Sequence, residues 1–158
     1  MVATKSKSKF HGFGSSIVFI TSVLASVVLI GATIACGGDL PNAKTGEKLP
    51  AGGGEPGKAY MAFVKAVKSD DIAAVRKLHT GTENESDSGM KEGVKFMKLT
   101  MPENLMITDG YATADRAALY VLGTFKEEMQ YGRIEMVKKK EVGWQVGNES
   151  WSNQPQEK

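Results

Sequence analysis

The chain has 158 residues, 41% hydrophobic and 24% charged, with five prolines and a single cysteine. This excludes collagenous, wholly disordered and disulfide-framework classes and leaves room for one modest globular domain. The net charge of +2 hides an asymmetry: Lys5, Lys7 and Lys9 stand in the first 35 residues with no acid beside them, and taking these three from 20 leaves 17 bases against 18 acids. A domain of that balance gives no reason to expect a nucleic-acid partner.

The three lysines precede an uncharged run, SSIVFITSVLASVVLIGATIAC, with Ala35 directly before Cys36. A basic start, an apolar stretch and small residues at its end are the layout of a secretory signal. The segment from Lys5 to Cys36 resembles a bacterial lipoprotein signal, departing from it at Thr33, where that pattern usually has Leu. The resemblance implies that residues 1–35 are a signal peptide and that Cys36 is lipidated and becomes the mature first residue. Two other readings of the same residues stay open. The 20 residues Ile17 to Cys36 carry no charge and would span a hydrocarbon core of ~30 Å as an uncleaved anchor, or the segment is an ordinary cleaved signal. In all three, the lysines hold the amino terminus inside, so the remainder of the chain lies outside the cytoplasm, in the cell envelope. A lone cysteine suits an oxidising compartment if it is held as a thioether.

Residues 36–56 are expected to be a flexible tether, because GGDLPNAKTGEKLPAGGGEPG holds seven Gly and three Pro in 21 residues. Such a segment has little apolar surface to set against its backbone entropy, and about 20 residues span roughly 25 Å. Gly52-Gly53-Gly54 comes after no predicted strand and reads as part of this linker.

From Pro56 the hydrophobic spacing becomes regular, and residues 57–152 read as one domain, with 153–158 a polar tail. Tyr60, Phe63, Val64 and Val67 fall at i, i+3, i+4 and i+7, the stripe of an amphipathic helix. Ser69 or Asp70 would cap a second short helix that ends at Gly81, with Arg76, Lys77 and His79 matching its dipole. A polar stretch comes next, expected as a solvated loop, and Ser86 or Ser88 would open a third helix with Met90, Val94 and Met97 on one face. After Pro102 the period changes to that of strands, predicted at about Glu103–Tyr111, Ala117–Lys126, Gln130–Lys139 and Gly143–Trp151. Helices succeeded by an antiparallel meander imply α+β.

Alternation gives each strand two faces. In the third, Gly132, Ile134 and Met136 oppose Tyr131, Arg133 and Glu135; in the last, Trp144 and Val146 oppose Gly147, Glu149 and Trp151, so the two tryptophans are expected on different sides. Gly123, Gly132 and Gly147 are candidate points of curvature or close approach.

The order of elements, with PGKAYMAFVKAVKSDDIAAVRKL, TADRAALYVLGTF and GRIEMVKKKEVGWQVGNESW, resembles the nuclear transport factor 2-like superfamily, and within it bacterial lipoprotein domains of unknown function similar to lumazine-binding-like proteins. The resemblance implies a cone-shaped (cystatin-like) α+β fold, N-terminal helices on a curved antiparallel four-stranded sheet, and a pocket inside the cone. Enzymes of that superfamily use Asp, Tyr or His there. By residue type the candidates are His79, Asp109, Asp115, Tyr60, Tyr111, Tyr120 and Tyr131, yet no local spacing identifies a base and its partner. His79 reads as a surface residue at a helix end, Asp109 and Asp115 as turn residues, and Tyr60 and Phe63 as core.

The residues available to a pocket or a sheet face are therefore Tyr60, Phe63, Tyr131, Arg133, Glu135, Trp144 and Trp151. No catalytic constellation, cofactor motif or metal-ligand spacing is present in the sequence, so no cofactor and no metal are expected. The expectation is a lipid-anchored, noncatalytic binding or interaction module of the envelope, with a small apolar ligand, an envelope protein or a second copy as partner. The alternatives are a small isomerase, cyclase or hydrolase using the cone, or a dimeric assembly factor.

Overall fold

The structure, a computed structural model, describes residues 39–158; the stretch expected to be a signal and Cys36 lie outside the described residues. The elements run β1 (Glu47–Lys48), a 3-10 turn (Ala51–Gly53), α1 (Gly54–Lys68), α2 (Ile72–Leu78), α3 (Asp87–Thr100), β2 (Glu103–Ala112), β3 (Arg116–Phe125), β4 (Glu128–Lys139) and β5 (Gly143–Ser152). The five strands form one antiparallel sheet in chain order. It is the α+β arrangement of helices on a curved sheet, with one strand more than the sequence suggests.

The extra strand corrects the reading of residues 36–56 as a free tether. Glu47 and Lys48 pair with Ala112 and Tyr111, and the Leu49 N–H donates to the Gly110 carbonyl at 2.8 Å. The three glycines after it are an entry turn into α1, all with left-handed backbone (φ 78°, 77° and 58°). Only glycine occupies that region without strain. The turn folds the Gly52 carbonyl onto Gly57, where a Cβ would stand 1.9 Å from the oxygen.

α1 buries the stripe its spacing dictates: Tyr60, Phe63 and Val67 are fully buried and Val64 nearly so. Each such side chain stabilises by about 1.5–3 kcal/mol relative to exposure. α2 starts one residue later than the sequence signal, because Asp70 turns into the left-handed region (φ 56°) and Asp71 caps instead, accepting from the Ala74 N–H at 3.0 Å. Ser86 caps α3 by accepting from the Gly89 N–H at 3.1 Å. Between them the polar stretch is organised. The Arg76 guanidinium donates to the Thr82 and Glu85 carbonyls and to Asp87, while the Thr82 hydroxyl donates to the Arg76 carbonyl.

α1 lies against β3 and β5, α2 against β5, and α3 packs on α1 and α2. Their shared core adds Val75, Met90, Val94, Ala117, Leu119, Val121, Ile134, Met136 and Val146. Three irregularities bend the sheet: two in β2, between Glu103 and Met106 and between Ile107 and Asp109, and one opposite Glu135–Met136, where β5 carries Gly147 as the extra residue. A bulge inserts one unpaired residue and increases the local twist.

Candidate functional site

The bulge at Gly147 decides what faces the interior. Met136 pairs with Val146 but Glu135 pairs with Asn148, so the alternation of β5 shifts by one. Trp144 and Val146 point inward before the bulge; Glu149 and Trp151 point inward after it. The expectation that the tryptophans face opposite sides is therefore wrong: both pack against the same core. Trp151 lies across Gly132, where any Cβ would come within 2.6 Å of its ring. Trp144 carries the Lys138 ammonium 5.7 Å from its ring centre, a cation–π contact at the rim.

The same shift carries an acid into the interior. The Tyr60 hydroxyl, on α1, donates to Glu149 Oε1 at 2.9 Å. Burial pushes the Glu149 carboxyl above the ordinary range, and the Tyr60 hydrogen bond only partly opposes this. Burial, with the Glu149 charge beside it, pushes the Tyr60 phenol up as well, so it stays a donor. Tyr60 also begins a row of rings, 6.5 Å from Phe63 in a stacked pair; Phe63 in turn lies 5.6 Å from His79.

His79 is consequently not the exposed helix-end residue the sequence suggests. It leaves α2 in extended conformation, bridges to Val146 of β5, and sets Nδ1 2.5 Å from the Thr80 carbonyl. Burial lowers its pKa and so favours the neutral ring, against the Thr80 hydrogen bond and the Glu83 charge, which act the other way. Beside it Gln145 is buried, donating to the Lys77 carbonyl at 2.7 Å while its Oε1 has no protein partner.

The other sequence candidates stand on the outer face of the sheet. Tyr131, Arg133 and Glu135 point away from the cone, and Glu135 pairs with Arg116 at 2.5 Å. Tyr111 and Tyr120 meet edge to face at 6.3 Å and pack with Ala118 and Leu40. Asp109 is inside β2, not in a turn, and its carboxylate, 10% exposed, takes Lys158 at 2.9 Å and Lys48 at 3.7 Å. The Lys158 hydrogen bond holds its pKa below the usual carboxylate range. Asp115 lies in the β2–β3 turn, within 3.4 Å of the Thr113 hydroxyl. A cavity of about 220 Å³ opens between this face and the C-terminal segment, with Thr108, Tyr120, Leu122, Tyr131, Gln156 and Lys158 among its lining. A larger groove, about 570 Å³, runs where the end of α3 meets the β3–β4 hairpin.

Glu149 is the residue that sequence reasoning missed. A strict two-residue period places it outside, and only the conjunction of Gly147 with large apolar residues of opposite parity on either side signals the shift. Among the described residues no group of three or more His, Cys, Asp or Glu could hold a metal ion, and no helix is long and apolar enough to cross a membrane.

Neither a protein-family model nor a curated protein matches the chain. Two solved structures are similar to it. One is a nuclear transport factor 2-like protein from Campylobacter jejuni with a provisional transpeptidase name, 20% identical, at a TM-score of 0.43, covering 59% of this chain and 97% of that one. The other, from Shewanella frigidimarina, is provisionally named a ketosteroid isomerase; it is 16% identical, at a TM-score of 0.43, covering 62% of this chain and 94% of that one. At these identities and TM-scores neither likeness bears on what this chain does.

Proposed function

We propose that the protein is a lipid-anchored module of the cell envelope, tethered through Cys36 and acting by noncatalytic binding, with its outer surfaces as the working part. The observation that supports this most is that the interior of the cone is occupied by the protein's own side chains. Tyr60, Phe63, Leu119, Ile134 and Met136 are fully buried there. Ligand sites are concave spaces with a few convergent polar groups, and an interior filled in this way favours a macromolecular partner over a small apolar ligand in the cone.

The intact mass of the protein extracted from its own membrane tests the anchor: a chain beginning at Cys36 with acyl chains supports it, and an unmodified start at Met1 overturns it. Native mass spectrometry of the same extract tests the binding mode. A reproducible small-molecule adduct would return the cone to the role of ligand pocket, whereas co-purifying protein is the outcome expected here.

One observation favours a second reading, a small envelope enzyme of isomerase, cyclase or hydrolase type. Glu149 is a carboxyl whose burial raises its proton affinity and which is oriented by a phenol, the combination from which acid–base residues are built. Turnover of an enolisable ketone or an ester by the wild type and its loss in Glu149→Gln would establish it. Equal, background-level rates in both would remove it.

A further inference from the structure

We propose that the end of the domain formed by the C-terminal half of α3 and the β3–β4 hairpin is the face through which two copies of this chain associate. Phe96 and Leu99, one helical turn apart, are 62% and 76% exposed, more than any other large apolar side chain among the described residues. Next to them lies the groove of about 570 Å³, with Leu99, Met101 and Phe125 in its lining. Projecting apolar side chains and a receptive groove on one face are what a two-fold contact requires, because each copy then offers both halves of the fit.

Charge points the same way. Lys126, Glu103 and Glu127 rim the groove, beside Lys98, whose ammonium is held by Asp70 of the same chain. A rim of both signs pairs with its own two-fold image, whereas a bilayer of anionic lipid or a polyanion selects for one sign. The part of the outer sheet face nearest β1 is less available for self-association, since Leu40 packs over Tyr111 and Tyr120 and the Lys158 side chain reaches Asp109; Met106 and Met129, 57% and 50% exposed, stand on its other half, paired with Leu122 and Thr124 toward the β3–β4 hairpin.

The attachment of the chain sets the direction. β2 runs from Glu103 at the proposed face to Ala112, which pairs with β1, and its ten residues span about 30 Å. From Asp39, where the described chain begins, Cys36 is three residues away, on the order of 10 Å of backbone. With Cys36 in a membrane, the β1 end is drawn to the lipid and the α3–hairpin end stands away from it. Two projecting side chains per copy make a small interface, in the class of weak contacts below about 1,200 Å². Confinement of both copies to one membrane raises their effective concentration enough to make such a contact useful. In this respect the inference rests on the lipid-anchor reading.

The test mixes full-length chains of natural isotopic composition with chains labelled with nitrogen-15, in phosphatidylcholine vesicles and separately in detergent, with an amine-reactive cross-linker and mass spectrometry as the readout. Flotation with the vesicles reports the membrane anchor independently. The expected result is mixed-isotope links joining Lys95 or Lys98 of one copy to Lys126 of the other, falling about tenfold in Phe96→Asp/Leu99→Asp, a loss equivalent to about 1.4 kcal/mol of association. An unchanged melting temperature shows that the variant folds, and Phe96→Ser/Leu99→Ser replaces it if it does not. Mixed links at Lys48 or Lys158 would move the contact to the outer sheet face, and no mixed links would leave the groove to lipid or another protein; either result overturns the proposal. Flotation without mixed links defeats the dimer and spares the anchor. Pole-to-pole links without flotation do the reverse.

Discussion

On its inner face the sheet meets α1 and α2 through fully buried side chains, among them Phe63, Leu119, Ile134 and Val146. On its outer face the covering comes from the chain's flanking segments, held by Leu40 against two tyrosines and by two lysines on Asp109. One side rests on interdigitated apolar surface, which salt does not weaken; the other rests largely on charges that are partly exposed and screened. The two faces should therefore fail under different conditions. The inner face sets whether the domain folds, and the outer face sets how tightly its two ends lie down.

The largest expected effect is on the inner side. Phe63→Ala removes a fully buried ring between Tyr60 and His79 and should cost about 3–5 kcal/mol, read by urea denaturation. A loss below about 1 kcal/mol would mean that the inner face is looser than its packing implies. Gly132→Ala comes next. Its new methyl meets the Trp151 ring, and overpacking of this kind should cost about 1–3 kcal/mol with a shift in tryptophan emission. Unchanged emission would show that the ring does not lie where the contact requires.

Glu149 sharpens the comparison, because it is a charge placed on the apolar side. Its folded pKa is raised by burial, so the folded state binds the proton more tightly than the unfolded chain. The stability this confers is full in acid and declines as pH rises from the ordinary carboxyl range through the folded value. Glu149→Gln, which can still accept from Tyr60, should flatten that slope and raise stability at neutral pH. A slope that survives the substitution would assign it to another group.

The smallest effect belongs outside. Asp109 has a lowered pKa, caused first by Lys158; its contribution is present above the ordinary aspartate range and is lost as pH falls through the folded value. Because Lys158 is 47% exposed, Lys158→Ala should cost at most about 1 kcal/mol and less at high salt. Faster amide exchange confined to residues 153–158 is the accompanying signature, and a global loss of protection would make the tail part of the fold proper.

The inner side was the legible one. The stripe Tyr60, Phe63, Val64 and Val67, the cap at Ser86 and the inward set Gly132, Ile134 and Met136 follow from periods of 3.6 and 2 that tertiary packing does not disturb. The places that escaped are those where the chain breaks its own period. Gly147 inverts β5 and thereby moves Glu149 and Trp151 inside. Glu47 and Lys48 form a strand too short to show any alternation, set in a segment whose glycine and proline content argues for mobility. His79 ends its helix by extending along β5, a partner 67 residues further on in the chain that no local signal announces.

The order of the strands along the sheet also bears on how the domain forms. Every strand pairs with its neighbour in sequence, so three hairpins, β2–β3, β3–β4 and β4–β5, can close from local loops at low entropic cost. The Tyr60–Glu149 contact, by contrast, joins residues 89 apart and requires the first helix to find the last strand. Contacts with that separation form late when local pairing dominates the transition state. Substitutions at Tyr60 or Glu149 should then alter the unfolding rate and leave the folding rate nearly untouched, so that the seam between α1 and β5 governs how long the folded state lasts once formed.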